Sequence, residues 1–225
     1  MRRQGLEPQM TPLSLILVSC LSTPQQTVGE PCVHFEKGSR LIQLHVYDAE
    51  GGNREGVGEG IRELQRALAE GCAKLAEANL LLGDAAWVFA SQHATEEERP
   101  KYKALAYSYY REYLKLRPAD SHARYTFTTM LLDADERRRE IRELVRRDPN
   151  FAMGRLQLGY DLIEQGDVER GSAHLVAAAR LFQPEQAEEF GDQVVKVLRK
   201  CGRPGEASEA EKAIRTVEQK PGRNR

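Results

Sequence analysis

Prolines and glycines in the second half of the chain recur at a spacing that few folds produce. Pro118, Pro149 and Pro184 stand 31 and then 35 residues apart, and Gly166 and Gly202 stand 36 apart. Between these markers the apolar residues repeat every three to four positions. Tyr102, Leu105, Ala106, Tyr109, Tyr113 and Leu116 form one such face, and Ala187, Phe190, Val194, Val197 and Leu198 form another. Ala207, Ala210, Ile214 and Val217 continue the pattern. Proline is tolerated in the first turn of a helix but not in its interior, so each proline marks a helix boundary. A period near 34 residues with two helices per unit implies stacked helix pairs, because one pair cannot bury its apolar face alone. The expected fold class is all-α.

Within residues 152 to 184 the punctuation resembles that of tetratricopeptide repeats (TPR). Leu158-Gly159 is similar to the Leu-Gly pair of the family's first helix, Gly166-Asp167 to its turn, and Ala178 to the small residue of its second helix. Gly202 to Ala207 resembles the next turn, Leu82-Gly83-Asp84 an earlier one, and residues 109 to 118 a second helix. Arg155 and Gly171 depart from the family pattern, and the unit from Ala119 to Pro149 is short and lacks a turn glycine. The resemblance implies a TPR-like solenoid of antiparallel helix pairs over residues 61–218. It also implies a concave groove lined by first helices that holds a peptide or partner helix. Carried over by position, the groove residues are Met153, Leu156, Tyr160, Ile163 and, in the preceding unit, Phe127.

The N-terminal region reads differently. Residues 33–47 hold two β-rich runs around Lys37 to Arg40 and suggest a short hairpin, a small β-tending segment. Residues 49–60, with five glycines, read as a linker, and 219–225 as a tail. Ahead of these, Arg2 and Arg3 precede an apolar stretch from Leu13 to Val18 that ends in Leu17-Val18-Ser19-Cys20. This resembles the lipobox of bacterial lipoproteins, which implies a signal over residues 1–20, a lipid on Cys20 and a polar tether over 21–32. Glu7 and Pro8 interrupt the segment, so a disordered or misassigned N-terminus stands beside that reading. Localisation is correspondingly open between the bacterial envelope and the cytoplasm. A transmembrane helix needs about 20 apolar residues, and none is present.

Composition narrows the chemistry. With 33 Lys+Arg against 34 Asp+Glu the net charge is -1, which gives no long-range attraction to nucleic acid. The arginines from Arg137 to Arg147 alternate with Glu136, Glu140 and Glu143 and read as a solvated face, with Arg139 and Glu143 spaced to pair. Residues 56–61 lack the last glycine of GxGxxG, and no HExxH, GxSxG or CxxC occurs. Cys32, His34 and His45 read as a polar strand face in preference to a metal site. Cys72 and Cys201 fall in helical patterns as small buried hydrophobes. The tyrosines at 102, 109 and 113 share one face of a helix and those at 107 and 110 another, so that helix is sandwiched.

These readings converge on a non-enzymatic protein-interaction scaffold without cofactor or metal. Its expected partner is a protein or peptide, not nucleic acid, with membrane contact only through the lipid anchor. The alternatives are a solute-binding or enzyme-accessory helical lipoprotein, or a cytoplasmic TPR adaptor.

Overall fold

The computed structural model describes residues 32–47 and 52–219. Cys20 and the whole region 1–31 lie outside them, as do 48–51 and 220–225. Ten α-helices follow in order: α1 (Val33–Ile42), α2 (Arg54–Ala69), α3 (Leu75–Val88), α4 (Arg99–Leu116), α5 (Ser121–Met130), α6 (Ala134–Arg147), α7 (Ala152–Glu164), α8 (Val168–Leu181), α9 (Pro184–Lys200) and α10 (Pro204–Glu218). They pack as five antiparallel pairs, α1 with α2 through α9 with α10, and no strand occurs among the described residues.

The helix starts carry the capping chemistry that the sequence supplies. Asn53, Asp120, Asp133 and Asp167 each accept from a first-turn amide at 2.6 to 3.1 Å. Pro100, Pro184 and Pro204 occupy first-turn positions of α4, α9 and α10, where a missing N–H costs nothing. Thr95 and Glu98 do exchange capping bonds, at 3.3 and 2.9 Å, but in a turn just ahead of α4, with Pro100 inside the helix. Gly166 and Gly202, with φ of +86° and +71°, make the turns inside the last two pairs.

No single core runs through the molecule. Four buried apolar clusters follow one another along the stack, each shared between neighbouring pairs. Tyr102 and Tyr109 of α4 face the first cluster along the stack, while Tyr110, Tyr113 and Leu114 join Phe127 in the second. Helix α4 is therefore sandwiched as expected, although Tyr113 sits on the opposite side from the one the helical wheel gave.

Three expectations fail at the N-terminal end. The segment 33–47 is α1 followed by a five-residue π-helical turn, Gln43–Tyr47, so no hairpin forms. The supposed linker contains the first two turns of α2, and the helical domain begins at Val33 instead of residue 61. Its glycines serve contact: a Cβ on Gly56 would meet the His45 ring at 2.2 Å, and one on Gly60 would meet Ile42 at 2.6 Å. Leu82-Gly83-Asp84 is no turn either. It lies in the middle of α3, where Gly83 touches the ring of Tyr110 just as Gly159 of α7 touches Leu175.

Cys72 is disulfide-bonded to Cys32, with Cα atoms 5.7 Å apart, and is not the isolated small hydrophobe expected. The bond joins the residue before α1 to the turn after α2, closing the first pair upon itself. Cys201 is free and half-buried in the turn after α9.

Charged groups link the same pair. Glu63 of α2 is 4% exposed and accepts from His34 Nδ1, from Lys37 at 3.2 Å and from Arg66 at 3.3 Å. The His34 hydrogen bond, followed by Lys37, holds its carboxyl below the usual glutamate range against the opposing effect of burial. A depressed carboxyl stabilises the fold above its unfolded pKa of about 4.3 and loses that contribution as pH falls through the folded value. We expect Glu63→Gln to lower Tm at pH 7 and to converge on the parent at pH 3, measured by circular dichroism. Parallel pH curves for the two proteins would show that the charge contributes nothing.

Asp84 of α3 is held by two hydroxyls, those of Tyr47 and Tyr110, which bind the first pair to the second. Burial pushes its carboxyl up, and the two hydroxyls partly offset that shift. Among the described residues no helix is long and apolar enough to cross a membrane.

Candidate functional site

The first helix of the fourth pair, α7, has two buried sides and one open one. Gly159 and Ile163 meet α8, where a Cβ on Gly171 would lie 2.6 Å from Ile163. Leu158 and Leu162 pack against Ile141 and Tyr125. Met153, Gln157 and Tyr160 remain on the third side, each half-exposed, with Met153 and Tyr160 resting on the last core cluster.

This geometry divides the five expected groove residues. Leu156 and Phe127 are 4% and 3% exposed and belong to the core, Phe127 stacking with Tyr110 at 6.4 Å. They are corrected to packing residues, because a helix with two buried sides offers fewer contact positions than a single-face reading assigns. Ile163 lies mainly toward α8. Met153 and Tyr160 stay open to a partner, and Gln157 joins them.

Tyr160 is the chemically unusual member. Burial pushes its phenol up to about 12, and its hydroxyl oxygen is enclosed without a hydrogen-bond partner. A buried hydroxyl left unpaired is costly, by about 1–3 kcal/mol. Beside it Gln157 donates to Asp161 Oδ1 at 3.1 Å, and Asp161 Oδ2 is also unpaired. Tyr125 of α5 is pushed up by burial and then by the charge of Glu189 on α9.

On α6 three of the six arginines are held in ion pairs. Arg146 and Arg147 both bind Glu143, whose carboxyl they hold down to about 2, and Arg138 pairs with Asp135 at 3.2 Å. Glu143 thus takes the two arginines after it and not Arg139. Glu140 and Glu136 reach Arg124 and Arg111 of neighbouring helices at 2.6 and 2.7 Å. Among the described residues no group of three His, Cys, Asp or Glu is placed to hold a metal ion.

A cavity of about 490 Å³ lies elsewhere, between the second helices α2 and α4. The π-helical turn Phe89–His93 that ends α3 closes one side of it. Nothing in the sequence reading pointed there, since the glycines beside it were taken for a linker.

No protein-family model and no curated relative matches the chain. Solved structures do. The MamA RS-1 ArsTM double mutant superposes with a TM-score of 0.55 at 17% identity, over 86% of this chain and 97% of that one. A crystal structure of MamA gives 0.50 at 14% identity, over 74% and 91% respectively. At these identities the likeness shows the fold alone: this chain is an all-α stack of TPR-like helix pairs.

Proposed function

We propose that the chain is a non-enzymatic interaction scaffold that holds a protein segment along the open side of its first helices, around Met153, Gln157 and Tyr160. The observation that carries this reading is Tyr160, a half-exposed aromatic ring beside Met153 and Gln157 on the one open side of α7. A bound segment that covers the half-exposed ring would bury it and gain aromatic contact there. The TPR-like fold of the MamA structures is consistent with a scaffold.

Site-specific photocrosslinking from position 157 in native cells tests the reading, with Tyr160→Ala and Tyr160→Phe as variants. Tyr160→Ala is expected to reduce the crosslinked product at least tenfold, in line with the roughly 2 kcal/mol of an aromatic anchor, and Tyr160→Phe to reduce it less. An unchanged product in both variants would sink the assignment.

The proposal extends to location. The Cys32–Cys72 bond supports an oxidising compartment outside the cytosol, and Cys20 would then anchor the exported chain by a lipid. Cys20→Ala is expected to move the protein from the membrane fraction to the soluble one. Retention in the membrane would exclude anchoring through that residue.

A further inference from the structure

We propose that the cavity between α2 and α4 is a binding site for a small aromatic carboxylate, separate from the first-helix side and independent of the scaffold reading. Its walls come from two helices that run in the same direction, so the amino-terminal halves of both face it: Arg54 to Gln65 on one side, Lys101 to Leu105 on the other. At about 490 Å³ it falls within the range of small-molecule sites.

Gly58 is the first reason to read the cavity as built for an occupant. Glycine in a helix is less stable than alanine there by about 0.5–1 kcal/mol, so each one in α2 calls for a cause. Gly56 and Gly60 have it, because His45 and Ile42 leave no room for a side chain. Gly58 has no such neighbour. A Cβ there would meet only Arg62 at 3.6 Å and Phe89 at 3.8 Å, both ordinary contacts. What its missing side chain does is keep the cavity wall open.

The charge is the second reason. Arg54, Arg62 and Lys101 line the cavity against one carboxylate, Glu55. Arg54 is committed, to Glu98 at 2.7 Å and to the His93 carbonyl, and it lies over the Phe89 ring at 5.1 Å. Arg62, whose charge acts on Glu59, and Lys101, which lies over the Tyr102 ring at 5.9 Å, make no ion pair among the described residues, unlike Arg138, Arg146 and Arg147 of α6. They flank a wall formed by Phe89 and Tyr102, whose rings lie 4.2 Å apart, with Ile61 and Leu105 extending it. Two cations outside any ion pair, beside closely packed, tilted rings, recognise one negative charge on a flat apolar body. Glu55 disfavours a dianion, which selects a carboxylate over a phosphate monoester.

Titration of the oxidised full-length protein with 2-naphthoate, followed by saturation-transfer NMR and calorimetry, provides the test. Wild type should bind 2-naphthoate and bind the uncharged 2-naphthamide about tenfold or more weakly, as expected for loss of a charge-assisted contact. Gly58→Leu should abolish binding by filling the cavity while keeping the thermal transition of the parent. The pair Arg62→Ala, Lys101→Ala should weaken 2-naphthoate to the level of the amide. The proposal is overturned if wild type shows no saturation transfer at millimolar 2-naphthoate, or if Gly58→Leu folds and binds as wild type does. Tighter binding of 2-naphthyl phosphate than of 2-naphthoate would equally overturn the carboxylate assignment.

Discussion

The Cys32→Ser, Cys72→Ser protein is expected to be less stable than the oxidised parent by about 4 kcal/mol, the loop-closure value for a bridge spanning some 40 residues. Among the described residues the bond encloses α1, the π-helical turn Gln43–Tyr47 and α2, so the loss should be local before it is global. Among the described residues α1 packs mainly on α2 and α3 and exposes Val33, and the π-helical turn behind it exposes Leu44, which leaves few contacts to retain it once the clamp is gone. Urea unfolding of the oxidised, reduced and double-serine proteins measures the effect, with the slope checked for two-state behaviour. Amide exchange should locate it, with protection lost in α1 and α2 while α7 to α10 keep theirs. Equal urea midpoints for oxidised and reduced protein would show that the bond is stabilising nothing.

Gly83→Ala comes next in size, with an expected net loss of about 1 kcal/mol, or roughly 2–4 °C in Tm. The new methyl would lie 2.6 Å from one ring carbon of Tyr110 and 2.8 Å from the next. That ring is 1% exposed, stacks on Phe127 and holds Asp84 through its hydroxyl, so it has nowhere to go without breaking the link to Tyr47. Overpacking of this kind costs about 1–3 kcal/mol, more than the roughly 1 kcal/mol that alanine gains in helix propensity. Gly58→Ala is the control with the opposite sign: it should raise stability by about 0.5–1 kcal/mol, because its methyl would make only ordinary contacts, with Arg62 at 3.6 Å and Phe89 at 3.8 Å. If both changes stabilised the protein, close approach at Gly83 would not be what fixes that residue.

The contrast between those two glycines also explains which parts of the fold could be read from residues alone. Gly166 and Gly202 were legible as turns because proline and capping residues flank them at a repeated distance. The pair α1/α2 was not, since Gly56, Gly58 and Gly60 in close order look like a linker whether they end a helix or let another approach it. Leu82-Gly83 was misread as a turn even though it has the same two residues as Leu158-Gly159, which was the available signal. Disulfide partners carry no spacing rule, so Cys32 and Cys72 could be joined only in three dimensions. The open side of α7 was legible in part: helical period identifies Met153 and Tyr160, but which neighbour covers Leu156 depends on how α8 and α9 close over it. The α2/α4 cavity was illegible because its walls come from segments about 40 residues apart.

The Cys32–Cys72 bond also has a mechanical consequence. Tension entering the folded region from the N-terminal side arrives at Cys32 and passes directly through the sulfur bridge to Cys72. Helices α1 and α2 lie off that load path, so pulling cannot unravel them while the bridge is intact. A stretch experiment should find about 140 Å of contour hidden in the oxidised protein, at up to 3.6 Å per residue over the 40-residue separation, and released only after reduction. The first helix pair is then a shielded element beside whatever the N-terminus is tied to, and strain would be felt first at Leu75, where α3 begins.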